Sequence, residues 1–133
     1  MRRVTVVPVV LFARDPRAVP AWWLHHYFPA TERLEASRET PLGQIAQMLG
    51  RPLEATAAPI PADCTDGFNA AYWRRPWPYL GPQIRRPMSA LALIPDDDRD
   101  EGMRHLQADL DSGEWHRRRG GLLTWTNSTS ATG

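Results

Sequence analysis

The sequence predicts an α/β fold with three strands and about five helices, and three observations lead to it. Residues 4–12 are almost all apolar and rich in β-branched side chains, which is the pattern of a strand buried on both faces of a sheet. Shorter apolar stretches at 53–60 and 122–125 indicate a second and a third strand. Between these strands, apolar residues recur at helical spacing, and the segments end at Pro or Gly.

Prolines bound the first strand and the first helix. Pro8 cannot donate to a ladder of backbone hydrogen bonds, so we expect part of the first strand to lie at a sheet edge or to begin after it. Pro20 suits the first turn of a helix that carries the aromatic residues up to Phe28, and Pro29 ends that helix. A short helical turn from Thr31 to Arg38 follows.

The best-marked helix lies at 40–50. Thr40 is the expected N-cap, Pro41 occupies the first helical position, and Gly50 closes the helix. Four apolar side chains fall on one face of it: Leu42, Ile45, Met48 and Leu49. The second strand, at 53–60, then ends between two prolines.

Aromatic and charged residues crowd the segment after the second strand. Asp66 can cap a helix that runs to about Trp73, and Pro76 prevents that helix from continuing. Residues 77–82 contain three prolines or glycines in six positions and predict a rigid, turn-rich loop.

The last part of the chain predicts two helical segments, a short strand and a tail. Pro87 should kink or restart the first helix, and the acidic residues 96–98 precede the second, which ends at 112–113. The third strand, 122–125, completes a single domain over residues 1–126. Residues 127–133 are small and polar, and we expect them to be a disordered tail.

Composition excludes several classes of protein. The net charge of +1 argues against an electrostatic partner such as nucleic acid or a membrane surface. A single cysteine, Cys64, excludes an internal disulfide and is compatible with a reducing cytoplasm. No apolar run approaches the ~20 residues of a membrane span. Pro8 and the charged pair 14–15 interrupt the apolar N-terminus, which is therefore unlike a signal peptide. We expect a cytoplasmic protein.

Five segments carry a resemblance to a known family. The main one, Asp63–Pro76, reads DCTDGFNAAYWRRP, and the others lie at 22–29, 82–86, 89–93 and 106–115. Together they resemble the C-terminal part of bacterial class I S-adenosylmethionine-dependent methyltransferases over roughly residues 20–125. The resemblance implies a Rossmann-like sheet in which the three strands are the fifth, sixth and seventh, the last antiparallel. It also implies that the N-terminal, cofactor-binding half lies outside this chain.

The cofactor of that family is S-adenosylmethionine, and we assign no residue of this chain to it. Such folds bind the cofactor at a Gly-rich turn between a first strand and a helix. The chain has nine glycines but no Gly-x-Gly pair, and Gly120–Gly121 precedes the last expected strand. We therefore expect no cofactor to bind this chain alone, and we leave its catalytic residues unassigned.

The resemblance implies a methyl-acceptor pocket near four residues: Asp66, Tyr72, Trp73 and Tyr79. Aromatic side chains could enclose an apolar acceptor, and a carboxylate could orient a hydroxyl or amine. The alternative is structural, with Asp66 as a helix cap and the three aromatic residues as core.

The sequence context of the other reactive residues favours structural roles for them, and we assign no metal site. Cys64 has no histidine at a recognisable spacing, so a structural thiol is expected. His25 and His26 point about 100° apart on a helix and cannot easily serve one site. The acidic run 96–101 suits a helix N-terminus, and the arginines 117–119 suit a solvated helix end.

The expected function is that of the C-terminal part of an S-adenosylmethionine-dependent methyltransferase for an unidentified small molecule, inactive as an isolated chain. The alternative is a non-enzymatic small α/β interaction or ligand-binding module derived from such an enzyme. The expected partners are the small-molecule acceptor and an N-terminal methyltransferase half. If no such half binds, the exposed edge of the first strand could instead pair with a second copy of the chain.

Overall fold

A computed structural model describes residues 10–13 and 22–128, and these residues are mostly helical. Seven α-helices and two 3₁₀ helices lie in this part of the chain. In chain order they are α1 (Trp23–Tyr27), α2 (Pro29–Arg38), α3 (Leu42–Leu49), the 3₁₀ helix Trp77–Leu80, α4 (Pro82–Arg85), α5 (Ser89–Leu93), α6 (Asp96–Asp111), α7 (Glu114–Arg119) and the 3₁₀ helix Gly120–Thr124.

The predicted α/β sheet is wrong. Helix accounts for 58% and strand for 2% of the structure, and the described residues form no sheet. Their β pairing is an isolated antiparallel bridge between Pro61 and Asn127. Residues 53–59 are exposed and irregular, and residues 120–124 are a 3₁₀ helix where the last strand was expected. The first predicted strand falls mainly on residues 1–9, outside the described part, and residues 10–13 have no strand.

The physical reason is the absence of a partner strand for 53–60 within the described residues. A strand needs a neighbour to satisfy its backbone groups, whereas a helix satisfies them within itself. Prolines at 52, 59 and 61 also remove three donors from this segment. Its backbone groups are therefore left to solvent, except at Ile60, which exchanges hydrogen bonds with Ser128. Residues 129–133 of the predicted tail lie outside the described part.

The helix starts differ in detail from the prediction. Pro29 begins α2 at its first turn as well as ending α1, because the proline ring needs no helical N–H partner there. In α3 the N-cap is Pro41, not Thr40, and the helix begins one residue later. Gly50 closes α3 as predicted, in the left-handed conformation (φ 64°) that a glycine adopts without strain.

Residues 67–68 form a bend and residues 69–74 form successive turns, so the predicted helix from Asp66 to Trp73 is wrong. The backbone bonds join residues three apart, such as Ala71 N–H to the Phe68 carbonyl and Trp73 N–H to the Ala70 carbonyl. Asp66 accepts a hydrogen bond from the adjacent Gly67 N–H at 2.7 Å and caps no helix. The predicted loop at 77–82 contains a 3₁₀ helix. The predicted break near Pro87, between α4 and α5, is confirmed, and so is α6.

Aromatic rings form the centre of the core. Trp23 of α1 makes edge-to-face contacts with Tyr27, Tyr79 and Trp115, with ring centroids 6.1, 5.6 and 5.5 Å apart. Each such pair contributes about 0.5–1.5 kcal/mol beyond the area that it buries. These rings join α1 to the 3₁₀ helix Trp77–Leu80 and to α7.

A close contact between α1 and α6 sets the distance between these helices. Gly102 of α6 is buried, and a Cβ atom at this position would lie 2.4 Å from the Phe28 ring and 2.5 Å from the Tyr27 carbonyl oxygen. Only glycine permits this approach. As a result, His26 and Tyr27 face His105 across the interface.

The longest described helix, α6, has 16 residues and a charged surface. Among the described residues, no helix has the length and apolar character needed to cross a bilayer.

Candidate functional site

Two shallow clefts flank the N-terminal helices. The first has a volume of about 190 Å³ and lies between α1 and α6, lined by His26, Tyr27, Pro29, Asp98, Glu101, Gly102 and His105. The second has a volume of about 230 Å³ and is lined by Leu34, Glu35, Arg38, Glu39, Asn69, Ser89 and Ala90. Each cleft contains ionisable side chains held by specific partners.

Two histidines, a tyrosine and an aspartate meet at the first cleft. His105 and Asp109 lie four residues apart on one face of α6, with His105 Nε2 3.8 Å from Asp109 Oδ2. From α1, the Tyr27 hydroxyl donates a 2.7 Å hydrogen bond to the same Asp109 oxygen. The rings of His26 and His105 have centroids 5.2 Å apart. One ligand atom from each of His26, His105 and Asp109 lies within 4.8 Å of the other two.

Tyr27 acts in this cluster as a hydrogen-bond donor. Burial, followed by the hydrogen bond and negative charge of Asp109, raises the pKa of Tyr27 well above the ordinary tyrosine value. The positive charges of Arg118 and Arg119 oppose this shift. The phenol therefore stays protonated near neutral pH, so it fixes the Asp109 carboxylate and does not serve as a base.

A second polar network holds Glu35 at the other cleft. His25 Nε2 lies 3.1 Å from Glu35 Oε2, and the Asn69 side-chain amide donates to Glu35 Oε1 at 2.9 Å. His25 is nearly buried, whereas its neighbour His26 is exposed at the first cleft. The two histidines thus belong to different networks, in line with the 100° separation of adjacent helical residues.

The four residues predicted to bind the acceptor are divided between the core and the surface. Tyr72, Trp73 and Tyr79 are buried, with exposed fractions of 6%, 2% and 0%, whereas Asp66 is exposed. Tyr72 and Tyr79 pack edge-to-face at 5.9 Å. None of the four lines either cleft. Their role in acceptor binding stays a prediction, and the contacts of the three aromatic residues are those of a scaffold.

Backbone carbonyls satisfy the polar atoms of these aromatic residues. Trp73 Nε1–H donates to the carbonyls of Ile60 and Pro61 at 3.1 and 3.3 Å, and the Trp73 carbonyl accepts from Trp23 Nε1–H at 2.6 Å. Trp73 therefore ties the irregular segment before residue 62 to α1.

Tyr79 connects the core to the second cleft. Its hydroxyl donates a 2.7 Å hydrogen bond to the carbonyl of Asn69, whose side chain holds Glu35. Burial raises the pKa of Tyr79 far above the ordinary value, so this donor is kept at all physiological pH values. Tyr79 thereby positions one wall of the cleft without lining it.

Replacing Tyr79 by Phe is expected to destabilise the fold by about 1–3 kcal/mol, because the Asn69 carbonyl loses its donor in a part-buried place. Tyr72→Phe is the matched control. The Tyr72 hydroxyl makes a long 3.4 Å contact with the Thr65 carbonyl, so its loss should cost less than about 0.5 kcal/mol. Urea denaturation followed by circular dichroism measures both. Equal losses would contradict the role given to the Tyr79 hydroxyl.

The remaining candidate residues have structural partners. Cys64 is half-buried and packs against the core, and its carbonyl accepts a hydrogen bond from Arg75. The acidic run begins α6, with Asp96, Asp97 and Asp98 in the first turn, where carboxylates favour the positive end of the helix dipole. Arg117 and Arg118 both pair with Glu114, and hydrogen bonding from Arg117 is the main cause that lowers the pKa of that carboxyl.

Sequence reasoning missed the cluster of His26, His105 and Asp109. One signal was available, since His105 and Asp109 are four residues apart in a helix that was predicted. Nothing in the sequence shows that α1 packs on α6 at this point, because that contact joins residues about eighty positions apart.

Comparisons with known proteins gave one informative relationship. No family model matches the chain, and no curated protein sequence matches it. A solved crystal structure from Anabaena variabilis ATCC 29413, of a "putative methyltransferase from antibiotic biosynthesis pathway", is 36% identical to this chain with a TM-score of 0.77. The chain is methyltransferase-like.

The methyltransferase-like chain matches the Anabaena protein over 85% of its own length and spans 47% of that protein. The suspected family relationship is thus confirmed at the level of a methyltransferase-like fold. Because the described residues are mostly helical, the resemblance identified the relationship, while the sheet that the resemblance and the residue pattern both predicted was wrong.

Proposed function

We propose that the chain forms the acceptor side of an S-adenosylmethionine-dependent methyltransferase for a small molecule, and corresponds to a C-terminal part of such an enzyme. The observation that carries the proposal is the 36% identity to the Anabaena methyltransferase across 85% of this chain. The chain spans less than half of that protein, so a further part, in the same polypeptide or in a second one, would supply the rest of the enzyme.

The described residues do not fit the cofactor. Small-molecule sites usually enclose about 300–1,000 Å³, whereas the clefts measure about 190 and 230 Å³. Neither cleft is lined by a Gly-rich turn that would let the backbone approach a ligand. We therefore assign no step of methyl transfer to residues of this chain and place cofactor binding in the further part.

The second cleft is the better candidate for contact with the acceptor. Glu35 presents a carboxylate that His25 and Asn69 hold in place, which suits the orientation of a hydroxyl or amine. Leu34 and Ala90 add apolar surface beside it. In this proposal Tyr79 acts indirectly, because it fixes the backbone at Asn69. Direct contacts of Asp66, Tyr72 or Trp73 with the acceptor remain part of the proposal.

The apolar face of α3 is the surface on which the further part would pack. No residue of α3 is buried, yet the helix is strongly amphipathic, with Ile45, Met48 and Leu49 on one side. Met48 is 82% and Leu49 47% exposed. Exposed apolar surface of this kind commonly marks an interface. Self-association of the chain stays a prediction, because the first predicted strand lies mainly outside the described residues.

Calorimetry with S-adenosylmethionine tests the proposal. The chain alone should bind with a dissociation constant weaker than about 100 μM, roughly −5.5 kcal/mol. The part of the Anabaena protein that this chain does not cover, fused to this chain, should bind the cofactor more tightly. Saturable binding below 100 μM by the isolated chain, or no binding by the fusion, would count against it.

A charge placed on the apolar face of α3 tests this packing surface in a second experiment. Met48→Asp should leave the melting temperature of the isolated chain nearly unchanged, because Met48 is exposed. In a mixture of the two parts, it should weaken their association at least about tenfold, since an interfacial methionine is replaced by an unpaired charge. Gln47→Asp places the same charge on the neighbouring exposed position and should have little effect.

A further inference from the structure

The cluster at the first cleft has the chemistry of a transition-metal site. Two imidazoles and one carboxylate are a common ligand set for Zn²⁺, with a fourth position left to water or another ligand. His26 contributes from α1, whereas His105 and Asp109 contribute from adjacent turns of α6. This geometry depends on the Gly102 contact that brings the two helices together.

The distances between the three ligand atoms are close to those between ligand atoms around a bound ion. With bonds of about 2.0–2.1 Å, two ligands at a tetrahedral angle lie about 3.3 Å apart. The three atoms here lie within 4.8 Å of one another, so each pair must close by at most about 1.5 Å to reach this separation. His26 and His105 are exposed and can close this distance by side-chain rotation, without movement of either helix.

The surroundings suit a cation and orient its ligands. Tyr27 donates to Asp109 Oδ2, the kind of outer hydrogen bond that fixes a metal-binding carboxylate. Asp98 and Glu101 add two further carboxylates to the cleft. Two positive charges oppose cation binding. Arg118 Nη1 lies 4.0 Å from Asp109 Oδ2 and also pairs with Glu114, and Arg119 acts on the neighbouring Tyr27 hydroxyl.

We propose that His26, His105 and Asp109 form a binding site for a single divalent transition-metal ion, Zn²⁺ in the first instance, with an open coordination position. The site is independent of the proposed methyltransferase function and lies at the other cleft. Because three protein ligands leave one position open, the ion could exchange and could bind a further ligand.

Titration of the metal-free protein with Zn²⁺, in competition with a chromogenic chelator, tests the site. Wild-type protein should bind one ion per chain with a dissociation constant below about 100 μM. His105→Ala should weaken binding about 100-fold or more, since loss of even an outer partner typically costs about 10–100-fold. Tyr27→Phe should weaken it about tenfold, within that same range.

His116→Ala is the matched control, because His116 is also exposed but stacks on Trp77 and is not one of the three clustered ligands. Its zinc affinity should equal that of the wild type. Circular dichroism melts of each metal-free variant separate loss of a ligand from loss of the fold. Cobalt(II) gives an independent readout, because a four-coordinate ion should add a visible absorption band that His105→Ala removes. No saturable binding by the wild type, or equal weakening by the His116 and His105 variants, would overturn the proposal.

Discussion

Replacement of Trp115 by Ala is expected to lower the free energy of unfolding by about 3–5 kcal/mol, the usual cost of truncating a buried tryptophan. Trp115 is 0% exposed and is among the largest fully buried side chains of the described core. Its ring packs against Trp23 at 5.5 Å, and this contact holds α7 to α1. Domains are stable by about 5–15 kcal/mol, so this one change should remove a large share of the total.

Urea denaturation followed by circular dichroism provides the measurement, with Trp77→Ala as the matched control. Trp77 is 49% exposed and touches the same Trp115 ring from outside, at 6.5 Å. Its loss should cost about 1 kcal/mol or less. Trp115→Phe should cost less than the Ala change, because the Trp115 Nε1–H has no hydrogen-bond partner within the described residues. Similar losses for Trp77→Ala and Trp115→Ala would argue against a central role for Trp115.

Replacement of Gly102 by Ala should destabilise the fold by about 3 kcal/mol, at the upper end of the range for overpacking. The added Cβ would meet the Phe28 ring at 2.4 Å and the Tyr27 carbonyl at 2.5 Å, and a backbone carbonyl cannot move without shifting α1. The direction of this change in stability is informative, because replacing glycine by alanine in an exposed helix normally stabilises a protein by about 1 kcal/mol.

Gly43→Ala is the control for this prediction. Gly43 lies within α3, and nothing lies within 4 Å of the position that its Cβ would occupy. This substitution should raise stability by about 0.5–1 kcal/mol. Thermal and urea denaturation of both variants measure the difference. A neutral or stabilising Gly102→Ala would show that α1 and α6 are not in such close contact, and would also remove the geometric basis of the zinc site.

Local signals in the sequence predicted the helices well. The three acidic residues at the start of α6, the stop after Asp111, the break near Pro87 and the glycine that ends α3 each act on the backbone of their own neighbourhood. Such features depend on few distant contacts. The bounds of α3 and the end of α6 were therefore predicted to within a residue or two, whereas the helix predicted from the Asp66 cap was wrong.

The predicted strands failed because a strand is not a local structure. Residues 53–60 are apolar in sequence, but their backbone would need a neighbouring strand, and the described part of the chain offers one bridge at Pro61. The residue pattern and the resemblance to methyltransferases both led to that expectation of a sheet. The resemblance predicted the relationship supported by the Anabaena structure, while residues 53–60 are irregular and most of the described residues are helical.

The candidate clefts could not be predicted from the sequence, because they too depend on contacts between residues that are far apart in the chain. The aromatic residues Tyr72, Trp73 and Tyr79 were correctly singled out as a dense group, and their alternative reading as core describes the positions that they occupy. His26 and Asp109, in contrast, are brought together only by tertiary packing. Their types and positions are visible in the sequence, but their proximity is not.

The contact between α1 and the last helices also bears on how the chain emerges from the ribosome. Tyr27 and Asp109 are 82 positions apart. At a synthesis rate of about 5–20 residues per second, α1 would wait roughly 4–16 s for its partner helix to be made. During that interval the apolar side chains of Trp23, Leu24 and Phe28, all buried in the finished fold, would be exposed to solvent or to a chaperone. The order of synthesis thus places a helix with a large apolar surface well before the helices that cover it.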